Sequence, residues 1–184
     1  MDDLAAIKRL RRGDLNGLSV LVERYQVQAV RTAYLITRDR SQAEDVVQGA
    51  FVRLVRSIAS YDMRRPFAPW FMRSVVNAAV QAAQRDQRYL DLDGSREDDV
   101  LTFADSLPDP APSPDDLAEA RALRDAVGAA LAHLPPEQRA AIVMRYYLDM
   151  PESRMSDALN VPPARSNGGC TQHVNNCASC CIGS

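Results

Sequence analysis

No apolar run in this chain approaches the roughly 20 residues that a membrane-spanning helix requires, and the opening MDDLAAIKRLRRGD lacks the apolar core of a secretory signal. These two absences exclude membrane insertion and predict a cytoplasmic protein. Aromatic residues make up only 6% of the chain, with one tryptophan, Trp70. Cysteine is absent until Cys170, and disulfides are not expected in a reducing compartment. No nucleophile can be paired with a base at a usable spacing, so no enzyme chemistry is expected.

The charge, by contrast, is plentiful and uneven. The formal net charge is −2 over 184 residues, but residues 1–90 carry 15 Lys/Arg against 9 Asp/Glu. Residues 91–120 carry 1 against 10, and residues 121–184 carry 6 against 5. A basic first half joined to an acidic stretch is best read domain by domain, and a basic domain suits a polyanionic partner.

Helical periodicity divides the chain. Residues 3–13 and 15–39 read as two helices, with Gly13 ending the first and Asp14 capping the second. Leu18, Leu21, Val22, Tyr25, Ala29 and Ala33 form one apolar stripe. Further helices over 43–58 and 68–89 complete an all-helical unit of about ninety residues, enough for its own core. The segment DSLPDPAPSPDD has the composition of an extended linker. Periodicity resumes at Leu117, with Leu123, Val127, Ala130 and Leu131 on one face. A helix entered through Pro135–Pro136 runs to Tyr147, and Asp149 is positioned to cap another over 151–159. The expected fold is all-α: a helical bundle (1–90), an acidic Pro-rich linker (91–116) and a partial helix-turn-helix domain (117–163), with a tail beyond it (164–184).

The richest stretch is Ser41–Asn77. Ser41 and Glu44 have capping-box spacing, and Val47, Phe51, Leu54, Val55 and Ile58 form an apolar stripe. Beyond Tyr61, the pair Arg64–Arg65 meets Pro66, and Phe67, Trp70 and Phe71 interleave with Arg73. Cations beside flat rings suit unpaired nucleic acid, with charge for phosphates and rings for stacking bases. The competing expectation is that the rings belong to the core. In the second unit, a recognition helix is due near residue 163. The sequence there, ARSNGGCTQHVNNCASCCIGS, has no apolar stripe and one basic residue, Arg165.

The motifs AEDVVQGAFVRL, RRPFAPWFMRSVVN and LAHLPPEQRAAIVMRYYLDMPESRMSDALNVPP, in this order and flanking an acidic linker, resemble the bacterial sigma factors of the extracytoplasmic-function class. The resemblance covers roughly residues 4–89 and 117–163. It implies a transcription initiation factor whose partners are core RNA polymerase, promoter DNA and an anti-sigma factor. By the same resemblance, Asp45, Gln48, Val52 and Arg56 contact polymerase. Arg64, Arg65, Trp70, Arg73, Asn77, Arg85 and Arg88 hold the melted strand of the −10 element. Glu152, Arg154, Pro162 and Pro163 are the remnant of the −35-reading helix-turn-helix. The linker would thread toward the RNA exit path. Two departures stand out: Gly49 succeeds Gln48 where the family often has glutamate, and Val80, Gln81 and Gln84 replace charged residues.

The tail admits two explanations. Cys170, His173, Cys177 and Cys180 have zinc-site spacing, the one metal candidate in a chain for which no cofactor is expected. Alternatively, a one-base shift near Pro163 lets the degenerate codons encode a family-like recognition helix, making 164–184 an out-of-frame, disordered remnant. The second explanation also accounts for the abrupt loss of periodicity, and it predicts impaired −35 recognition. The competing functions are a non-initiating protein that occupies polymerase or an anti-sigma factor, and a zinc-dependent sensor.

Overall fold

The computed structural model describes residues 2–93 and 126–159, with side chains described at 2–88 and 126–155. Every regular element among them is a helix: α1 (Asp3–Arg11), α2 (Asn16–Thr37), α3 (Arg40–Ser57, continued by a 3₁₀ turn at Ile58–Ser60) and α4 (Phe67–Asp93). After the undescribed span come α5 (126–132), α6 (Pro136–Ile142, running into a π turn at Val143–Tyr147) and α7 (Glu152–Leu159). The all-helical expectation holds. Residues 91–93 of the expected linker belong to α4, whereas the rest of the linker and the tail, with Pro162, Pro163 and the four candidate zinc ligands, lie outside the described residues.

The turn between α1 and α2 is dictated by its residues. Gly13 takes φ 83°, the left-handed conformation that closes a helix end at least cost in glycine. Asp14 accepts from the Asn16 amide at 3.0 Å and from Arg9 Nε at 2.7 Å. The Arg9 guanidinium, with help from that amide, holds the Asp14 carboxyl below its ordinary range. Gly17 then lets the helices cross closely: a Cβ there would overlap the Ala6 carbonyl and lie 2.8 Å from the Leu10 amide nitrogen.

On α2, Leu21, Tyr25, Ala29 and Ala33 are buried as expected, while Leu18 and Val22 pack at the margin. Thr32 and Thr37 are buried among them, and each hydroxyl donates to the carbonyl four residues earlier, at 2.8 and 3.0 Å. That local bond lets a polar side chain sit in the core without an unsatisfied donor.

Four sequence expectations need correction. Asp39, not Ser41, caps α3: its carboxylate accepts from the Gln42 amide at 2.6 Å. Glu44 instead accepts from Arg40 Nε at 3.0 Å, one turn apart on the helix surface. Val55 is 37% exposed, because the buried stripe of Val47, Phe51, Leu54 and Ile58 turns past it. Val127 is likewise exposed, leaving Leu131 as the buried residue of α5. Asp149 takes a left-handed conformation (φ 48°) in the turn, two residues before Pro151, whose carbonyl accepts from the Arg154 amide at 2.9 Å as α7 opens.

α2, α3 and α4 pack mutually, and α1 lies along α2. The second unit seats on α2 and α4, where Ala140, Val143, Met144, Met150 and Met155 join the core of the first. Arg38 donates to the Gly128 carbonyl, and Gln84 donates to the Glu137 carboxylate. Gln84 is thus engaged by the second unit.

Two of the glycines in helices, Gly17 and Gly49, predict opposite outcomes. Gly17→Ala forces α1 off α2 and should lower stability by about 1–3 kcal/mol. At Gly49 a Cβ meets only the flexible Arg53 guanidinium at 3.4 Å, so Gly49→Ala should raise stability by about 1 kcal/mol. Urea denaturation monitored by circular dichroism checks both signs.

Candidate nucleic-acid and protein interface

The stretch from Tyr61 to Asn77 is organised around rings. Phe67 and Phe71 stack at 5.7 Å with planes 7° apart. Tyr25 from α2 lies 5.3 Å from Phe67, and Phe51 from α3 lies 4.8 Å from Phe71. Tyr61 meets Phe67 edge-on at 5.8 Å and Trp70 at 4.8 Å. Phe67, Phe71 and Tyr61 are buried, so for these rings the core expectation is correct. Trp70 is different: half-buried, it walls a cleft of about 380 Å³ together with Arg53, Leu54, Arg56 and Ser74.

The loop between Tyr61 and Phe67 is held by its own bonds. The Tyr61 hydroxyl donates to the Arg65 carbonyl, and the Asp62 carboxylate accepts from the Arg64 amide at 3.0 Å. These ties point the chain so that Arg64 and Arg65 are exposed. Arg65 Nε lies 3.8 Å from Asp62, an exposed pair of small energetic weight.

Trp70, Arg73, Asn77, Arg85 and Arg88 recur at helical spacing, so they share one strip along α4. Asn77 and Arg85 line a polar groove of about 750 Å³ between α3 and α4, facing Gln42, Asp45 and Arg53. Arg73, Arg85 and Arg88 are exposed beside it. Of the four residues implied to contact polymerase, Asp45, Gln48, Val52 and Arg56 are all exposed on the outer side of α3. Gln48 and Val52 lean toward a second groove, of about 570 Å³, between α2 and α3. Its lining is more apolar, with Val22, Val27, Val30 and Phe51, and two of its valines are strongly exposed: Val27 at 46% and Val52 at 52%. Glu152 and Arg154 are exposed on α7, remote in sequence from either groove.

Two features escape sequence reasoning. Arg53 borders both the polar groove and the Trp70 cleft; its spacing from Arg56 is the signal that could have found it. Val27 lies off the main α2 stripe, and an unexplained valine on a helix flank is the signal there.

The match to known proteins agrees with this geometry. Residues 21–89 match Sigma-70 region 2, and residues 124–166 match Sigma-70, region 4. RNA polymerase sigma factor CarQ of Myxococcus xanthus is 33% identical over 138 residues, covering 75% of this chain and 74% of CarQ. ECF RNA polymerase sigma factor SigW of Bacillus subtilis is 24% identical over 158 residues, covering 85% of this chain and 84% of SigW. The ECF RNA polymerase sigma-E factor of Escherichia coli is 29% identical over 150 residues, covering 79% of this chain and 76% of that factor. The chain belongs to the extracytoplasmic-function sigma factors of bacterial RNA polymerase. Factors of this class bind core polymerase and promoter DNA, are typically restrained by anti-sigma factors, and supply no catalysis of their own. Among the described residues no helix is long and apolar enough to cross a membrane.

The ring cluster carries a pH dependence. Burial, then the Asp3 carboxylate accepting from its hydroxyl at 2.5 Å, pushes the Tyr25 hydroxyl above its ordinary value of 10.0. Burial, then the charges of Asp62 and Asp3, raises Tyr61 from the same value. A raised value in the folded state favours the neutral phenol there. The associated stability is therefore fully present below about pH 10 and is lost as pH rises further. Thermal unfolding should show a flat midpoint up to about pH 9 and a decline beyond about pH 10, with Tyr25→Phe reducing that decline.

Proposed function

We propose that this chain directs initiation chiefly through its first unit, residues 1–90, with weakened discrimination at the −35 element. The outer side of α3 and the apolar groove beside it dock on the polymerase, with Gln48 and Val52 at the centre of the contact. Val27 and Val52 suit such a contact, since exposed apolar side chains gain from burial at about 25 cal/mol per Å². On the other flank, Arg64, Arg65, Arg73, Asn77, Arg85 and Arg88 track the phosphates and edges of the melted −10 strand. Trp70 offers the ring on which a base stacks, a contact worth about 1–3 kcal/mol per base. The protein acts in the cytoplasm, beside the polymerase.

The observation that carries this reading is the half-buried Trp70 at the mouth of a cleft bordered by Arg53 and Arg56. A ring placed for packing alone has no need of an open wall between two guanidinium groups. The weakened −35 reading rests on the sequence after Pro163, where the residues of a recognition helix are missing. Glu152 and Arg154, on α7, then belong to a motif whose reading-helix residues are missing from the sequence. Each lost bidentate base contact removes about 1–3 kcal/mol of discrimination.

Run-off transcription with core polymerase tests the proposal. Substituting the −10 element should abolish the transcript, while scrambling the −35 element should change its yield by less than about threefold, the scale set by losing no intact base contact. Strong dependence on the −35 sequence overturns the impaired reading. Binding to core polymerase without any promoter-specific transcript would instead make the chain a non-initiating occupant of the enzyme.

A further inference from the structure

Arg11 lies on α1, outside the residues that match Sigma-70 region 2, and nothing in the proposed interface so far uses it. Its side chain reaches across to the end of a different helix. Nε donates to the Ile58 carbonyl at 2.8 Å, and Nη2 donates to the Ala59 carbonyl at 2.8 Å and to the Tyr61 carbonyl. These carbonyls close the helical run that begins at Arg40. The Ile58 carbonyl already accepts from the Tyr61 amide at 3.3 Å, and the last carbonyls of a helical run carry its partial negative charge, which favours a cation there. A guanidinium satisfies several such oxygens at once because its donors form a rigid planar fork.

The grip matters because Tyr61 and the arginine-bearing turn are the next residues along the chain. Tyr61 is only 3% exposed, and its ring is sandwiched against Trp70 at 4.8 Å and Phe67 at 5.8 Å. Its hydroxyl in turn holds the Arg65 carbonyl. Fixing the Tyr61 carbonyl therefore fixes three things together: the depth of the Tyr61 ring, the wall that Trp70 presents, and the turn carrying Arg64 and Arg65.

We propose that Arg11 is a positioning residue for capture of the unpaired promoter strand, acting from α1 through the Ile58–Tyr61 carbonyls to set Trp70 and the Arg64–Arg65 turn before DNA arrives. This rests on the reading of that surface as the strand-holding one. The ordering of the turn, an entropic cost otherwise incurred on binding, is then met within the folded protein. Arg11 touches no nucleic acid in this arrangement; its effect passes entirely through the loop.

Trp70 is the sole tryptophan, so its fluorescence reports this loop without interference. The test compares wild type with Arg11→Met, which keeps the aliphatic stem but removes the donors, and with Arg11→Lys, which keeps charge without the fork. Tyr61→Phe, which removes only the tie to Arg65, serves as a second route to the same loosening. Each full-length protein is checked by circular dichroism for retained helix. Acrylamide quenching of Trp70 is then measured in the free protein. Affinity for a single-stranded −10 oligonucleotide and for core polymerase is measured separately with the reconstituted holoenzyme.

Arg11→Met should raise the quenching constant and weaken oligonucleotide binding by about tenfold, the scale of losing a charge-assisted hydrogen bond, with core affinity unchanged. Arg11→Lys should fall between, and Tyr61→Phe should move both readouts in the same direction. Unaltered quenching in Arg11→Met overturns the proposal. Increased quenching with unaltered oligonucleotide affinity also overturns it, because the loop then moves without consequence for capture. If the wild-type holoenzyme does not bind the oligonucleotide while quenching still responds to Arg11→Met, the proposal is overturned through the strand-holding reading and not through the grip itself.

Discussion

The parallel stack of Phe67 on Phe71, closed by Tyr25 from α2 and Phe51 from α3, fixes where the first turn of α4 sits relative to every other helix of the first unit. Rings of this size each bury about 150–250 Å², and well-placed pairs contribute about 0.5–1.5 kcal/mol beyond that burial. The stack also has a free side. Trp70 lies three residues after Phe67 and one before Phe71, so a helix that buries the two phenylalanines must turn the indole toward the edge of the core. The sequence spacing thus couples two outcomes: seating α4 also presents a ring beside Arg53 and Arg56.

α3 serves two surfaces because of its own amphipathic geometry. With Val47, Ala50, Phe51 and Leu54 turned inward, one flank borders α2 and the other borders α4. The first flank gives the apolar groove with Gln48 and Val52, and the second gives the polar groove with Asp45, Arg53, Asn77 and Arg85. An apolar surface suits a protein partner, and a polar surface rimmed by arginines suits a polyanion. On the proposed reading the two partners meet adjoining flanks of one helix, with Asp45 and Arg56 at the boundary between them. The second unit seats on α2 and α4, and Gln84 reaches Glu137 rather than adding to the basic strip.

Much of this architecture is legible in the sequence. Helix number, approximate limits and most core positions of α1–α4 come from period and capping chemistry, since those signals are local. The failures have local and tertiary causes. Ser41 and Asp39 both have capping chemistry two residues apart, and only the amide direction at Gln42 decides between them. Val55 and Val127 show that an apolar residue at the margin of a stripe is not thereby buried. Asp149 has capping chemistry too, but a left-handed turn is an equally available use of an acidic residue. The grooves are not readable at all, because each is made by pairing residues from two helices. The arginine-rich stretch itself is found from spacing, but Arg53 and the reach of Arg11 to Ile58, Ala59 and Tyr61 depend on how α1 and α3 pack. Composition sets the start of the linker at residue 91, inside what is the last turn of α4; the rest of the linker and the tail rest on composition alone.

The most direct measurement is permanganate mapping of unpaired thymines in a promoter duplex mixed with core polymerase and the full chain. The expected result is reactive thymines confined to the −10 region, persisting when the −35 element is scrambled and disappearing when the −10 element is replaced. An opened region that vanishes on scrambling the −35 element, or the absence of any opened region, would contradict the assignment of promoter opening to the α3–α4 face of the first unit.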